Sequence, residues 1–150
     1  MFPINKQTKF WLDDVRPCPF IGDWIIAKNY TEAVELLKDI PEGKLEEVWF
    51  DHDLAEDHYQ ANMDSSFVSP NKTGLDVLNW MIENNKMPVE GNKVFVHSLN
   101  PVGSQKMCSI IGDYYKEPMY MHRRHYYSYM KICSNLMSQY DNNFSLGQKD

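Results

Sequence analysis

Three short stretches of the sequence end in side chains that can bind a metal ion or move a proton. The stretches are the apolar runs 10–12, 48–50 and 94–96, and the polar residues that follow them are Asp13, Asp14, Asp51, His52, Asp53, His97 and Ser98. Uninterrupted aromatic and β-branched runs are typical of buried strands in a parallel sheet. We therefore predict three strands that deliver these side chains from their carboxyl ends.

The four aspartates of this set would repel one another if they met without a cation. A divalent metal ion resolves that repulsion, and the predicted ligands are Asp13, Asp14, Asp51 and His52. Carboxylates favour Mg²⁺ or Mn²⁺, and an imidazole among the ligands also admits Zn²⁺ or Fe²⁺. The sequence thus predicts a divalent metal site, with Mg²⁺ or Mn²⁺ preferred.

One arginine follows the first acidic pair. Pro17 and Pro19 exclude a regular helix directly after the first strand, so Arg16 is expected in a loop. From that loop its guanidinium is free to reach back over the acids. Its planar fork suits a phosphate group, so we predict that Arg16 binds substrate phosphate and neutralises charge during catalysis.

Other polar residues of these stretches are candidates for proton transfer and phosphate binding. His97 is predicted to be a metal ligand or a general acid or base, and Asp53 is the other candidate for moving the proton. Ser98 and the backbone amides at Asn100, where a helix is expected to begin, are predicted to hold phosphate oxygens.

Several of these residues also have a purely structural interpretation. Adjacent acids such as Asp13 and Asp14 often cap or solvate a loop. Strand alternation places Asp51 and Asp53 on one face and turns His52 to the opposite face, where it satisfies only a backbone group. Both interpretations stay open at the level of sequence.

Strands and helices alternate along the chain. Strands are predicted at 9–12, 24–27, 47–50 and 93–96, and helices at 31–40 with a Thr31 cap, from Thr73, from Asn100 to Tyr115 and over 120–140. Residues 55–72 lack periodicity and are expected to form a lid or binding loop. This alternation predicts an α/β fold with an open parallel sheet, four to five strands and helices on both faces. In such a sheet, ligands collect at the carboxyl ends of the strands.

Length and charge limit the classes of function. The 150 residues fit one domain, with a core at about 9–115, a helical extension at about 120–140 and a polar tail at 141–150. A net charge of −6 argues against duplex DNA as a partner, although one small phosphorylated ligand is compatible with it. No apolar run approaches the roughly 20 residues that span a membrane, and three widely spaced cysteines favour a reducing cytoplasm.

Four motifs in order resemble a known family. They are Trp-Leu-Asp-Asp-Val-Arg-Pro at 11–17, Phe-Asp-His-Asp-Leu at 50–54, Thr-Gly-Leu-Asp at 73–76 and His-Ser-Leu-Asn-Pro-Val-Gly at 97–103. They look like the cyclic-phosphate processing receiver domain, a receiver-derived family of bacteria and their phages. The resemblance implies a three-layer, receiver-like (flavodoxin-like) fold and metal-dependent action on a cyclic phosphate. The matching positions are Asp13, Asp14, Arg16, Asp51, His52, Asp53, Thr73, Asp76, His97, Ser98 and Asn100.

The predicted function is that of a metal-dependent phosphodiesterase, a hydrolase acting on a cyclic nucleotide, a cyclic oligonucleotide or an RNA 2′,3′-cyclic phosphate. Its catalytic residues are predicted to be Asp53, His97 and Arg16, and its substrate-binding residues Arg16, Ser98, Asn100 and Thr73. The alternatives are a non-catalytic module that binds a cyclic nucleotide or a protein partner, and a phosphoacceptor receiver on Asp51. We expect a cytoplasmic protein, in the host cytoplasm if a phage encodes it, and leave open a homodimer.

Overall fold

A parallel four-stranded sheet forms the centre of the structure, a computed structural model that describes residues 7–54 and 71–131. The strand order is β2-β1-β3-β4, and every pairing is parallel. The strands are β1 (Thr8–Leu12), β2 (Trp24–Ala27), β3 (Leu45–Phe50) and β4 (Val94–Val96). The open parallel sheet predicted from the sequence is confirmed, and its carboxyl edge carries the predicted site residues.

Three helices cover one face of the sheet. They are α1 (Tyr30–Lys38), α2 (Gly74–Glu83) and α3 (Pro101–Tyr115). Alternate strand residues such as Phe10, Val48 and Val94 belong to the same buried cluster as residues of all three helices. Burial of this apolar surface is the main force that holds the helices on the sheet.

Side-chain caps hold the first turns of the helices at the carboxyl edge of the sheet. Asn100 caps α3 through its Oδ1, which accepts a hydrogen bond from Gly103 N at 2.9 Å, and Pro101 occupies the first turn as predicted. The predicted Thr31 cap of α1 is wrong. Asn29 is the cap instead, because its side chain accepts from Glu32 N at 2.8 Å and the helix already includes Thr31.

The other face of the sheet carries aromatic residues. Trp11 and Trp49 point to this face and pack with Tyr126, which lies in the helical residues 126–131. Residues 13–23, which join β1 to β2, contain no helix, so Phe20 and other aromatic side chains cover this side of the sheet. Of the predicted 120–140 helix, the structure describes a short 3₁₀ helix (Met119–His122) and the start at 126.

A fifth chain segment lies beside β4 without forming a full strand. Val96 and Arg123 form a single parallel bridge, and Arg124 N donates to Val96 O at 2.9 Å. His122, which is buried, donates from Nδ1 to Val94 O at 3.1 Å and anchors the segment. The predicted count of four to five strands therefore corresponds to four strands and one bridge.

Two predicted segments fall largely or wholly outside the described residues. The lid or binding loop at 55–72 is described only from Asn71 onward, and the tail at 141–150 is not described. None of the described helices has the length and apolar character needed to cross a membrane.

A glycine docks α2 against the end of β3. Gly74 N donates to His52 O at 2.8 Å, and a Cβ on Gly74 would lie 1.7 Å from the carbonyl oxygen of Asp51. No side chain fits at that distance, so the backbone of α2 touches the turn that carries Asp51. The Thr-Gly pair of the third motif is thus explained by close approach.

Gly74→Ala is expected to destabilise the protein by at least about 1–3 kcal/mol, the usual cost of overpacking, because two backbone segments must separate. Chemical denaturation measures the free energy of unfolding. Asn79→Ala, at an exposed position of the same helix, is the matched control and should change it little. Equal stability of the two variants would contradict the docking argument.

Candidate active site

Asp13 is the anion around which the site is built. Its Oδ1 accepts from the backbone N–H groups of Val15 at 3.0 Å and Arg16 at 2.8 Å. Its Oδ2 accepts from Arg16 Nε at 2.8 Å and His97 Nε2 at 2.9 Å. Burial alone would raise the pKa of Asp13, but these hydrogen bonds outweigh it and hold the pKa below the usual value. Asp13 is therefore ionised, and donors surround both of its oxygens.

Arg16 binds the acids rather than pointing to solvent. In addition to the bond from Nε to Asp13, Arg16 makes two further contacts. Its Nη2 lies 3.2 Å from Asp51 Oδ1, and its Nη1 donates to His97 O at 3.2 Å. Its side chain is 14% exposed, and the Tyr126 ring covers it, with 5.1 Å between the guanidinium carbon and the ring centre. The guanidinium reaches back over the acids as predicted, but within the described residues it acts as their counter-ion.

Asp51 combines burial with an oxygen that has no partner. Its Oδ1 accepts from His52 N at 2.8 Å and from Arg16, whereas Oδ2 is buried without a hydrogen bond from any described residue. Burial and then the charge of Asp13 raise the pKa of Asp51 to about 7, although Arg16 opposes them. A buried carboxylate oxygen without a donor is costly, and a cation would relieve that cost.

Three carboxylates form a group that fits a divalent cation. Asp13, Asp14 and Asp51 each offer an oxygen, and these atoms lie within 4.8 Å of one another. All-oxygen ligands suit Mg²⁺ or Mn²⁺. The structure therefore brings together three of the four predicted metal ligands. His52, the fourth, lies outside the group found among the described residues.

His97 is enclosed behind Asp13. Its ring stacks on Trp11, with 4.2 Å between ring centres and 9° between planes, and its side chain has no exposed surface. Burial lowers the pKa of His97 to about 4, although Asp13 opposes this, so the imidazole is neutral at neutral pH. It therefore donates from Nε2 to the Asp13 carboxylate. In this position His97 orients Asp13, and its catalytic role stays a prediction.

His52 and Asp53 pair with each other. His52 Nδ1 lies 2.8 Å from Asp53 Oδ1, which also accepts from Asn100 Nδ2 at 3.2 Å. The predicted alternation of Asp51 and Asp53 against His52 is wrong, because β3 ends at Phe50 and the following turn does not alternate. The turn directs Asp51 to Arg16 and Asp53 to His52.

The amide of Asn100 contacts both members of this pair. Its Oδ1 accepts from Gly103 N, so its Nδ2 is the donor that lies 3.2 Å from Asp53 Oδ1 and 3.3 Å from His52 Nδ1. We infer that Asp53 accepts from His52 Nδ1–H, which leaves Nε2 as the second ring nitrogen. Nε2 has no hydrogen-bond partner among the residues described. A Cβ on Gly103 would lie 2.4 Å from the His52 ring, so the imidazole packs directly on the first turn of α3.

The other predicted substrate-binding residues form structural contacts. Ser98 is buried, and its Oγ accepts from Asn100 N at 3.1 Å. Thr73 N donates to Asp76 Oδ2 at 2.7 Å as part of the cap of α2. Both residues border the carboxyl edge, and their contact with substrate stays a prediction.

Sequence reasoning missed two features of the site. The pairing of His52 with Asp53 could have been predicted, because the two residues are consecutive in the sequence just after a predicted strand ends. Tyr126, which covers Arg16 and donates to Pro17 O at 3.0 Å, had none, because it comes from a distant part of the chain.

The fold and the site define a flavodoxin-like α/β protein with an acidic cluster at the carboxyl edge of its sheet. The family model described as "Cyclic-phosphate processing Receiver domain" matches residues 8–113. The chain belongs to this family, as the order of its motifs indicated. The comparisons with curated proteins and with solved structures gave no significant match.

Proposed function

We propose that the protein is a metal-dependent phosphodiesterase that opens the cyclic phosphate of a nucleotide, a cyclic oligonucleotide or an RNA end. The observation that carries this proposal is Asp51 Oδ2, a buried carboxylate oxygen without a partner among the described residues, within a group of three acids. The family description supports the class of substrate.

Asp14 and Asp51 are the best placed ligands for Mg²⁺ or Mn²⁺. Asp13 already accepts four hydrogen bonds, which matches the number of its lone-pair sites, so it would have to give one up to bind a metal. A cation bound there supplies positive charge against the phosphoryl oxygens and makes a water molecule more acidic.

We assign the proton transfer to His52, because its ring is oriented by Asp53 and its Nε2 has no hydrogen-bond partner among the described residues. In ring opening, a water oxygen forms a bond to phosphorus and the phosphorus–oxygen bond to one ring oxygen breaks. One proton leaves the water and one arrives at the departing oxygen. Asp53 holds Nδ1–H of His52 and orients the ring, so Nε2 can accept the first proton and return it. His97 and Arg16 keep Asp13 ionised behind this site.

A specific observation favours the alternative of a binding protein without catalysis. Arg16 already bridges Asp13 and Asp51, so part of the acidic charge is neutralised without a metal. A protein of this kind would hold a cyclic nucleotide and leave it intact. The two functions differ in turnover, which can be measured directly.

The test is hydrolysis of a panel of 2′,3′-cyclic, 3′,5′-cyclic and cyclic oligonucleotides with Mg²⁺, Mn²⁺ or Zn²⁺. We expect metal-dependent turnover of at least one substrate, lowered by about 100-fold or more in Asp14→Asn through loss of a ligand. Asp113→Asn, at an exposed position on α3, is the control and should keep full activity. Tight binding without turnover would establish the binding protein, and absence of both would exclude the two functions.

A further inference from the structure

We propose that a pocket beside the acidic cluster is the subsite that holds the base of the nucleotide substrate. This inference rests on the proposed function. The pocket has a volume of about 490 Å³, and its walls are the loop after β1 and the outer face of β2. The pocket lies here because the segment that joins β1 to β2 forms no helix to cover this part of the sheet.

The edge strand β2 forms the floor of the pocket. Trp24, Ile26 and Lys28 alternate along the chain and line the same cavity, and Ile26 is 41% exposed. A helix between β1 and β2 would cover such a floor in a doubly wound sheet. Because residues 13–23 contain no helix, this part of the floor stays accessible.

Two aromatic rings form the apolar wall. Phe20 and Trp24 stack with 5.2 Å between ring centres and 23° between planes. The indole Nε1 of Trp24 is buried and has no acceptor among the described residues. Phe20 covers one face of Trp24, and Lys9 Nζ lies over the ring at 5.8 Å from its centre. A nucleobase would therefore supply ring or carbonyl acceptors for the indole N–H, while its flat face packs against Ile26.

The pocket is continuous with the proposed reaction site. Asp13, Asp14 and Arg16 line it, so a ligand whose phosphate lies at the acids places its other end against the aromatic wall. Lys28 is exposed at the carboxyl end of β2 and forms no ion pair with any described residue. Its charge suits a phosphate, so the lining matches a phosphate ester that also carries an aromatic base.

The first measurement compares two substrates, a 2′,3′-cyclic nucleoside monophosphate and glycerol 1,2-cyclic phosphate, which has no base. The wild-type protein should have a KM about tenfold lower for the nucleotide, because only the nucleotide has a base that contacts the pocket floor. Ile26→Glu places a charge on the exposed floor without opening the core. It should raise the KM for the nucleotide about tenfold, leave kcat within about twofold and leave the base-free substrate unchanged.

Trp24→Leu removes the unpartnered indole N–H and should act in the same direction, with thermal denaturation as the check that it folds. Val89→Glu, at a position 78% exposed in the loop before β4 and outside this pocket, is the matched control for a surface charge and should have no effect. Equal KM values for the two substrates in the wild-type protein, or an Ile26→Glu variant that behaves like Val89→Glu, would overturn the proposed base site.

Calorimetric titration of the full chain with adenosine 5′-monophosphate, without metal, separates this inference from the proposed function. Binding that is lost in Ile26→Glu and kept in Val89→Glu supports the base site even if no cyclic phosphate is hydrolysed. Turnover of both substrates without nucleotide binding would overturn the base site and leave the phosphodiesterase standing. Absence of nucleotide binding would overturn the base site.

Discussion

Asp51→Asn is expected to abolish metal-dependent turnover and metal-induced stabilisation together, while making the metal-free protein more stable at pH 8. The loss of turnover should be at least about 100-fold, because the variant removes the carboxylate proposed as the central metal ligand. The gain in stability has a separate cause, which is the cost of ionising a buried acid.

That cost gives the stability a definite dependence on pH. Burial and Asp13 raise the pKa of Asp51 from 3.8 to about 7, so between these values the folded protein holds a proton that the unfolded chain has released. The contribution of Asp51 to the free energy of unfolding is fully present below pH 3.8 and is lost as the pH rises through about 7. At pH 8 the ionised side chain destabilises the metal-free fold, and a bound cation should restore the loss.

Thermal denaturation at pH 5 and pH 8, with and without Mg²⁺ or Mn²⁺, measures both effects. For the wild-type protein we expect the metal to raise the midpoint more at pH 8, where Asp51 is ionised although burial and the charge of Asp13 oppose its ionisation. Asp51→Asn should show no metal-induced rise at either pH, and Asp113→Asn should behave as wild type. A normal metal response from Asp51→Asn would remove Asp51 from the proposed site.

The fold could be predicted because three of its strands contain uninterrupted apolar runs. The runs at β1, β3 and β4 are apolar without interruption, as expected of strands buried on both faces, and all three strands are present. Their parallel pairing brings the three carboxyl ends to one edge. The same logic predicts that Asp13, Asp51 and His97 lie near one another, and the structure brings them together.

The chemistry of individual side chains was harder to predict, because it depends on the turn geometry after each strand. Strand alternation continued beyond Phe50 predicts that His52 and Asp53 point to opposite faces. Because β3 ends at Phe50, the alternation does not continue, and the two side chains pair. In the same way, Arg16 was expected to be available for phosphate. Its donors instead bind Asp13 and Asp51, since the loop turns back within three residues.

The aromatic face shows a further limit. Tyr126 packs on Trp11 from a segment far along the chain, and periodicity alone does not reveal which strand a distant helix will cover. The lack of a helix between β1 and β2 was predictable from Pro17 and Pro19. The pocket that results was not, because it also depends on how the loop after β1 places Arg16 and Phe20 beside β2.

His52→Asn is expected to lower kcat by about 100- to 10,000-fold while leaving the metal-induced rise in thermal midpoint intact. The asparagine amide can still donate to Asp53 as Nδ1–H does, so the local hydrogen bond survives. It cannot accept and return a proton, which removes the contribution of general acid–base catalysis. His125→Asn, at an exposed position, is the matched control.

His52→Asn also distinguishes between the two roles of His52, because losing a metal ligand and losing a proton-transfer group have different measurable effects. If His52 binds the metal, His52→Asn should weaken the metal response and shift the metal concentration needed for activity. If it moves the proton, metal affinity stays unchanged and the limb of the pH–rate profile that it controls disappears. The geometry favours the second outcome. Asp53 orients the ring through Nδ1, Asn100 donates to Asp53 and Gly103 packs against the ring, and His52 is not part of the group of three carboxylates.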